Sequence, residues 1–301
     1  MAPIFIGSGV ALVTPFDKDG KINYSRFKEL IEFQIANHTD AIVVCGTTGE
    51  GSTLTVSERL ILFELAVETV RHRVPVICGT GSNSTSFSLD FAKEAEQLDI
   101  DAHLSVTPYY NKTSQSGLIT HYYTLADNLK KPVIVYNVPT RTGMNILPET
   151  YKKLSFHDNI IAVKEADTHI SKLIKSLVLC EDRLDFYIGN DDMISVAASL
   201  GCKGVISVLS NILPSYTHEL ALSGVNGDCT KCAVMQKRVM DLIECLFMDV
   251  SPIIIKEVMS RCSLDVGSCR LPLGQADERS KDIISTVLTQ YKDLIREENI
   301  I

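Results

Sequence analysis

No stretch of the chain approaches the roughly 18 consecutive apolar residues of a membrane span, so no transmembrane helix is expected. The opening residues, Met1-Ala2-Pro3-Ile4-Phe5-Ile6-Gly7, have neither a basic n-region nor a signal-length apolar core, which points to a cytoplasmic protein. There is also no basic run or stripe. With 29 Lys and Arg against 37 Asp and Glu, a net charge of -8, nucleic acid and anionic membranes are poor partners, and a small anionic substrate would need local positive charge. The seven histidines are scattered, none with a second at i+4, and Cys229-Thr230-Lys231-Cys232 is a lone CxxC without a second pair, so metal-dependent chemistry has little support. Nine cysteines, an odd number without a signal peptide, read as reduced thiols rather than a disulfide framework. Gly79-Thr80-Gly81-Ser82-Asn83-Ser84 lacks the third glycine of a dinucleotide loop and reads as an ordinary connection.

What is present is alternation. Eight apolar, strand-like runs recur at Val10 to Val13, Ala41 to Cys45, Val74 to Cys78, Ala102 to Val106, Val133 to Tyr136, Ile160 to Val163, Phe186 to Ile188 and Val205 to Val208. Between them lie amphipathic stretches such as Tyr24 to Asn37, Ser57 to Arg71 and Thr85 to Leu98, whose period suits crossover helices. Eight βα units predict an α/β fold, a closed parallel (β/α)8 TIM barrel. After Asn211 the pattern turns helical, with candidates at Cys229 to Phe247, Ser251 to Arg261 and Ala276 to Arg296. Residues 1–210 should therefore carry the barrel up to strand eight. Residues 211–301 should supply the last barrel helix and an extension packed with the barrel as one unit, since no low-complexity linker divides the chain.

Function in a parallel barrel collects at the C-terminal ends of the strands. Lys164 stands there, the one ammonium in the run Ile160-Ile161-Ala162-Val163-Lys164-Glu165-Ala166. A strand buried on both faces has no cheap place for a charge; desolvation favours the neutral amine, which attacks ketones to form a Schiff base, although a lysine reaching out at the strand end explains the segment as well. Gly46-Thr47-Thr48-Gly49-Glu50 follows the second strand as either a small-residue turn or an anion cradle of converging N–H groups. Tyr136 ends the fifth strand two residues after Ile134, so both should face the barrel interior, where a held phenol passes protons. Tyr109 reads more simply as rim packing. Arg141, between Pro139 and Gly143, suits a bidentate grip on a carboxylate unless it is merely an exposed loop residue. The adjacent Asp191 and Asp192 could do acid–base work or cap the helix that follows.

Six ordered segments together resemble the dihydrodipicolinate synthase family, pyruvate-dependent class I aldolase-like lyases with N-acetylneuraminate lyase as a sister. They are Gly46-Thr47-Thr48-Gly49-Glu50, Thr107-Pro108-Tyr109-Tyr110-Asn111, Tyr136-Asn137-Val138-Pro139, Arg141-Thr142-Gly143, Lys164-Glu165-Ala166 and Gly204-Val205-Ile206-Ser207, spread over essentially the whole chain. The resemblance implies that Lys164 forms the imine with pyruvate and that no other cofactor is needed. It assigns proton transfer to Tyr136, relayed through Thr47 to a Tyr110 contributed by the neighbouring subunit. Thr48 would hold the pyruvate carboxylate, with the Ile206 carbonyl close by and Gly189 lining the substrate side. Arg141 would bind the carboxylate of L-aspartate 4-semialdehyde, which favours a synthase of diaminopimelate and lysine biosynthesis over a sugar-acid or sialic-acid aldolase; a catalytically silent pyruvate-binding paralogue is the remaining alternative. The resemblance further implies a homo-oligomer, a dimer of dimers. Asn190 stands where the family often has aspartate, so contacts on the aldehyde side could differ. At the family's lysine effector site Asn83 and Tyr109 match, but Phe87 replaces a glutamate and Val56 a histidine, which implies weak or absent feedback inhibition.

Overall fold

The computed structural model describes residues 2–298; Met1 and residues 299–301, the outer ends of the two expected segments, lie outside it. Eight parallel strands close on one another in sequence order: β1 (Gly7–Ala11), β2 (Ala41–Val44), β3 (Val76–Gly79), β4 (Ala102–Val106), β5 (Val133–Asn137), β6 (Ile160–Glu165), β7 (Asp185–Ile188) and β8 (Gly204–Ser207). Closure runs through β1 and β8, with Gly9 paired to Ile206. The expected (β/α)8 barrel is therefore the fold.

Alternation sorts the side chains. Ala11, Ala41, Val43, Ile77, Leu104, Ile134, Tyr136, Ala162, Tyr187 and Ile206 pack together with Phe5 as one interior cluster. Phe5 stacks on Tyr187 at 4.2 Å, and the Tyr187 hydroxyl donates to the Phe5 carbonyl, so the N-terminal segment plugs that core. Their neighbours point outward against the helices. β5 and β6 carry one irregularity: Val133 pairs with Ile160, but Ile134 pairs with Ala162, so Ile161 is an extra residue in β6. That extra residue brings Lys164 opposite Tyr136.

Beyond shifts of one or two residues at other element ends, three features depart from the sequence reading. β1 begins at Gly7 and ends at Ala11, earlier than the apolar run Val10 to Val13, because Gly7-Ser8-Gly9 make the barrel ladder where backbones and Phe5 approach closely. Cys229 to Phe247 forms two helices, Cys229–Arg238 and Met240–Leu246, broken at Val239, and the last stretch likewise breaks at Tyr291 between Glu278–Gln290 and Lys292–Glu297. The extension buries Leu242, Ile243, Leu246, Ile254, Ile255, Val258, Ile284 and Leu294 in the same core as Val10, Ile42 and Val76 of the strands and Leu12 just after β1. Shared apolar burial of that kind holds the extension to the barrel. No helix among the described residues is long and apolar enough to cross a membrane.

Candidate active site

Lys164 is the penultimate residue of β6, 6% exposed, in register with Tyr136 of β5 on one side and Tyr187 of β7 on the other. Its Nζ lies 4.5 Å from the centre of the Tyr136 ring. Both groups face a cleft of about 560 Å³ at the C-terminal ends of the strands, which Thr47, Thr48, Arg141 and Gly189 also line. An amine, a phenol and a guanidinium thus converge on one cavity.

The loop after β2 is tightly wound. Glu50 N–H donates to the Thr47 carbonyl and Gly51 N–H to Gly46, while a Cβ on Gly49 or Gly51 would come within 2.9 Å or 2.3 Å of backbone atoms. Only glycine fits either position. Among the described residues no hydrogen bond engages the N–H groups of Thr47 and Thr48, which leaves them free for an anion. Thr48 is buried and Thr47 half-buried.

Arg141 lies on a one-turn helix, Pro139–Thr142, closed by Gly143 in the left-handed region at φ +65°. Proline at the first helical position and glycine after the last fix this turn. The guanidinium is exposed at the cleft mouth, and Nη2 donates to the Ser251 carbonyl at 3.1 Å. Gly189 donates its N–H to the Glu165 carbonyl at 2.7 Å; a methyl in place of its hydrogen would stand 3.0 Å from both the Lys164 Cε and the Ala166 Cβ. Ile206 is fully buried in β8 beside Gly9.

Tyr110 is not brought to Lys164. It occupies an exposed turn at φ +69° with 91% of its surface free, outside the cleft lining of its own chain. Tyr109 lines a second cavity of about 440 Å³ together with Phe87, Ser52 and Gly51, adjoining the cleft through Thr47, Tyr136 and Arg141. Asn83 and Val56 do not line that cavity. The Asn83 carbonyl accepts from Asn111 Nδ2, and Val56 opens the Val56–Val70 helix against the core.

Three features are visible only in the fold, the first being the partners of Asp191. Asp191 is fully buried; its Oδ2 accepts from the N–H groups of Val208 and Leu209, both at 2.9 Å, so it caps the turn after β8 rather than the helix that follows it. Burial raises this carboxyl above its ordinary range, against the pull of the Ser207 hydroxyl, those two amides and the positive charge of Lys164. Arg59 is the second: it is buried along the second cavity, donates to the Gly79 carbonyl, and covers the Phe91 ring at 4.1 Å. The third is that the extension walls the cleft mouth with Ile243, Phe247, Val250 and Ser251, whose only sequence signal was their place in an appended helical region. Among the described residues no three His, Cys, Asp or Glu side chains gather as a metal set.

Residues 4–291 match the family model described as the dihydrodipicolinate synthetase family. The chain is 47% identical over 288 residues to 4-hydroxy-tetrahydrodipicolinate synthase 1 of Clostridium acetobutylicum, covering 96% of this chain and 98% of that protein. Among solved structures, dihydrodipicolinate synthase from Aquifex aeolicus superposes with a TM-score of 0.93 at 36% identity, over 96% of this chain and 98% of that one. The chloride-inhibited dihydrodipicolinate synthase of Acinetobacter baumannii, complexed with pyruvate, superposes with a TM-score of 0.93 at 33% identity, over 98% and 99% of the two chains. A match over nearly the whole barrel and its extension, on top of a lysine, a tyrosine and an arginine converging on one cleft, makes the chain a member of the dihydrodipicolinate synthetase family.

Proposed function

We propose that this protein is a 4-hydroxy-tetrahydrodipicolinate synthase, condensing pyruvate with L-aspartate 4-semialdehyde in lysine biosynthesis. The observation that carries the reading is the register of β5 and β6, which sets the buried Lys164 amine against the Tyr136 ring in a cleft with Arg141 at its mouth. Lys164 Nζ adds to C2 of pyruvate, and Tyr136 donates the proton with which water leaves the carbinolamine. The protonated imine draws electrons from C3, which loses a proton to give the enamine. The enamine carbon then attacks the semialdehyde carbonyl, forming the new C–C bond and restoring the imine while the aldehyde oxygen takes up a proton to become a hydroxyl. The amine of that substrate displaces Nζ as the ring closes and frees the lysine. The imine nitrogen supplies the electron sink throughout, so the chemistry requires no external cofactor.

The free N–H groups beside Thr48 suit the pyruvate carboxylate, Gly189 lines the cleft, and the carbonyl of Ile206, whose side chain is buried outside the cleft lining, is proposed to lie near that carboxylate. Thr47 relays the Tyr136 proton onward. Tyr110 completes that relay from a neighbouring subunit, an arrangement its exposure in its own chain supports. The assembly is then a homotetramer, a dimer of dimers, working in the cytoplasm. Residues 1–210 and 211–301 act as one folding unit, in keeping with their common core. Asn83, Tyr109, Phe87 and Val56 mark a degenerate lysine effector site, of which Phe87 and Tyr109 line the second cavity.

The test is a coupled assay of pyruvate with aspartate 4-semialdehyde, joined to borohydride trapping in pyruvate alone. Turnover and a labelled peptide containing Lys164 are expected, with both abolished in Lys164→Ala. Cleavage of a 2-keto-3-deoxy sugar acid without use of the semialdehyde would replace this reading with the aldolase, and trapping without turnover would replace it with the silent paralogue.

A further inference from the structure

We propose that Glu50 and Lys256 are a positioning pair that holds the Thr47–Thr48 loop in its anion-gripping shape, so that the C-terminal extension tunes pyruvate binding without touching substrate. The inference rests on the reading above that this loop takes the pyruvate carboxylate. Glu50 is 1% exposed and sits at φ +55°, a conformation that side chains other than glycine rarely keep without support. Its support comes from far along the chain. Lys256, 2% exposed on the helix Ile253–Arg261, places Nζ 2.5 Å from Glu50 Oε1, and the Arg270 N–H donates to Oε2 at 2.9 Å.

The surrounding contacts lock the same loop. Arg270 Nη1 donates to the Thr53 carbonyl at 3.1 Å, and both its terminal nitrogens hold the Glu58 carboxylate, at 2.9 Å and 2.6 Å. Thr14 Oγ1 donates to the Gly49 carbonyl at 2.6 Å, and the Phe16 ring lies 4.2 Å from Lys256 Nζ and 4.6 Å from the Arg270 guanidinium. Glu50 does not line the cleft, so it has no acid–base part in the reaction. A buried ion pair adds little to stability over a packed apolar pair, yet it fixes geometry because each charge accepts few positions. The same helix starts just after Ser251, whose carbonyl holds Arg141. The segment from Ser251 to Lys256 therefore holds both the Arg141 turn and the loop after β2.

The experiment compares the wild-type protein with Lys256→Met, Lys256→Arg and the double variant Glu50→Gln/Lys256→Met, which removes the charges without leaving one unpaired. Pyruvate KM in the double variant should rise by about tenfold or more, while semialdehyde KM at saturating pyruvate changes by less than about twofold. Lys256→Arg, which keeps the charge, should recover most of the loss, and borohydride with saturating pyruvate should still label Lys164 in every variant. A double variant that unfolds cooperatively and keeps the wild-type pyruvate KM overturns the proposal, because a purely structural pair would lower the unfolding midpoint alone. If neither Met-bearing variant folds, the pair is a folding requirement and the positioning role falls. Absence of a Lys164 adduct in the wild-type protein would instead refute the underlying imine reading.

Discussion

Removing the Arg141 guanidinium should separate the two half-reactions. Of its five N–H donors, one from Nη2 is committed to the Ser251 carbonyl, which leaves enough of the fork to meet a carboxylate in two parallel bonds. The side chain is exposed at the cleft mouth, so solvent screens it, and the loss belongs near the bottom of the range for a desolvated charge pair. About 2–3 kcal/mol is reasonable for Arg141→Ala, a fall of roughly 30- to 150-fold in kcat/KM for aspartate 4-semialdehyde. Arg141→Lys keeps the charge but not the fork and should lose only about 1 kcal/mol. The measurement is initial rate against semialdehyde at saturating pyruvate, paired with borohydride trapping by pyruvate alone, which neither variant should impair. Added salt should raise the semialdehyde KM of the wild-type protein more than that of Arg141→Ala. If Arg141→Ala uses the semialdehyde as well as the wild type does, the carboxylate clamp is refuted and the sugar-acid alternative regains its standing.

Gly189→Ala should press a methyl on the Lys164 Cε and Ala166 Cβ, each 3.0 Å away, and destabilise the fold by about 1–3 kcal/mol while lowering kcat/KM for pyruvate; unchanged kinetics would mean the lysine swings freely. Burial, partly offset by bonds from Tyr151, the Asp167 amide and Asn137, raises the Glu165 carboxyl from 4.5 to about 7. Between those values the folded state keeps a proton that the unfolded chain releases, so this group's contribution to stability is present at low pH and is lost as pH rises, by about 3 kcal/mol over the window. Urea titrations from pH 4.5 to 7.5 should show a shallower decline for Glu165→Gln, and parallel curves would contradict the assignment. Lysine should inhibit weakly: in the second cavity its ammonium meets the Phe87 ring and the buried Arg59 guanidinium rather than a carboxylate, a cation–π contact worth about 0.5–2 kcal/mol at most. Half-inhibition well below about 1 mM would show that an acidic group elsewhere has taken over.

Side-chain parity along β5 was enough to turn Ile134 and Tyr136 inward, because the period of a strand is two wherever the strand is regular. The register between strands was not legible in the same way. Ile161 reads as one more apolar residue in a buried run, yet it is the extra residue that sets Lys164 rather than Val163 opposite Tyr136. Nothing in composition or periodicity marks it, since the irregularity is decided by how two neighbouring strands pair. β1 failed for the reverse reason. Its ladder opens with Gly7, Ser8 and Gly9, residues with low strand preference, where a side chain on Gly7 would meet Asp40 and one on Gly9 would meet Phe5, so the apolar run begins three residues into the strand. Asp191 was visible as a candidate, but its partners at Val208 and Leu209 follow the next strand, and only the pairing of β7 with β8 brings them together.

The signal that singled out Lys164 occurs twice. Ile253-Ile254-Ile255-Lys256 has the same form as Ile161-Ala162-Val163-Lys164, an ammonium ending an apolar run, and both lysines are buried. Burial is common to both, so the run alone does not distinguish a nucleophile from a structural charge. What separates them is the nearest partner. Lys256 has a carboxylate at 2.5 Å, which fixes its position even though burial lowers its pKa against that carboxylate's pull, whereas Lys164 faces the ring of Tyr136 at 4.5 Å and an open cleft, with its carboxylate neighbour Asp191 committed to two backbone amides. A lysine at the wall of the cleft with no ion-pair partner can reach a ketone; one buried against a glutamate away from the cleft cannot. Assigning the nucleophile therefore takes the pairing as well as the burial, and the strap that carries Lys256 supplies the shape of the loop on which the other lysine's substrate depends.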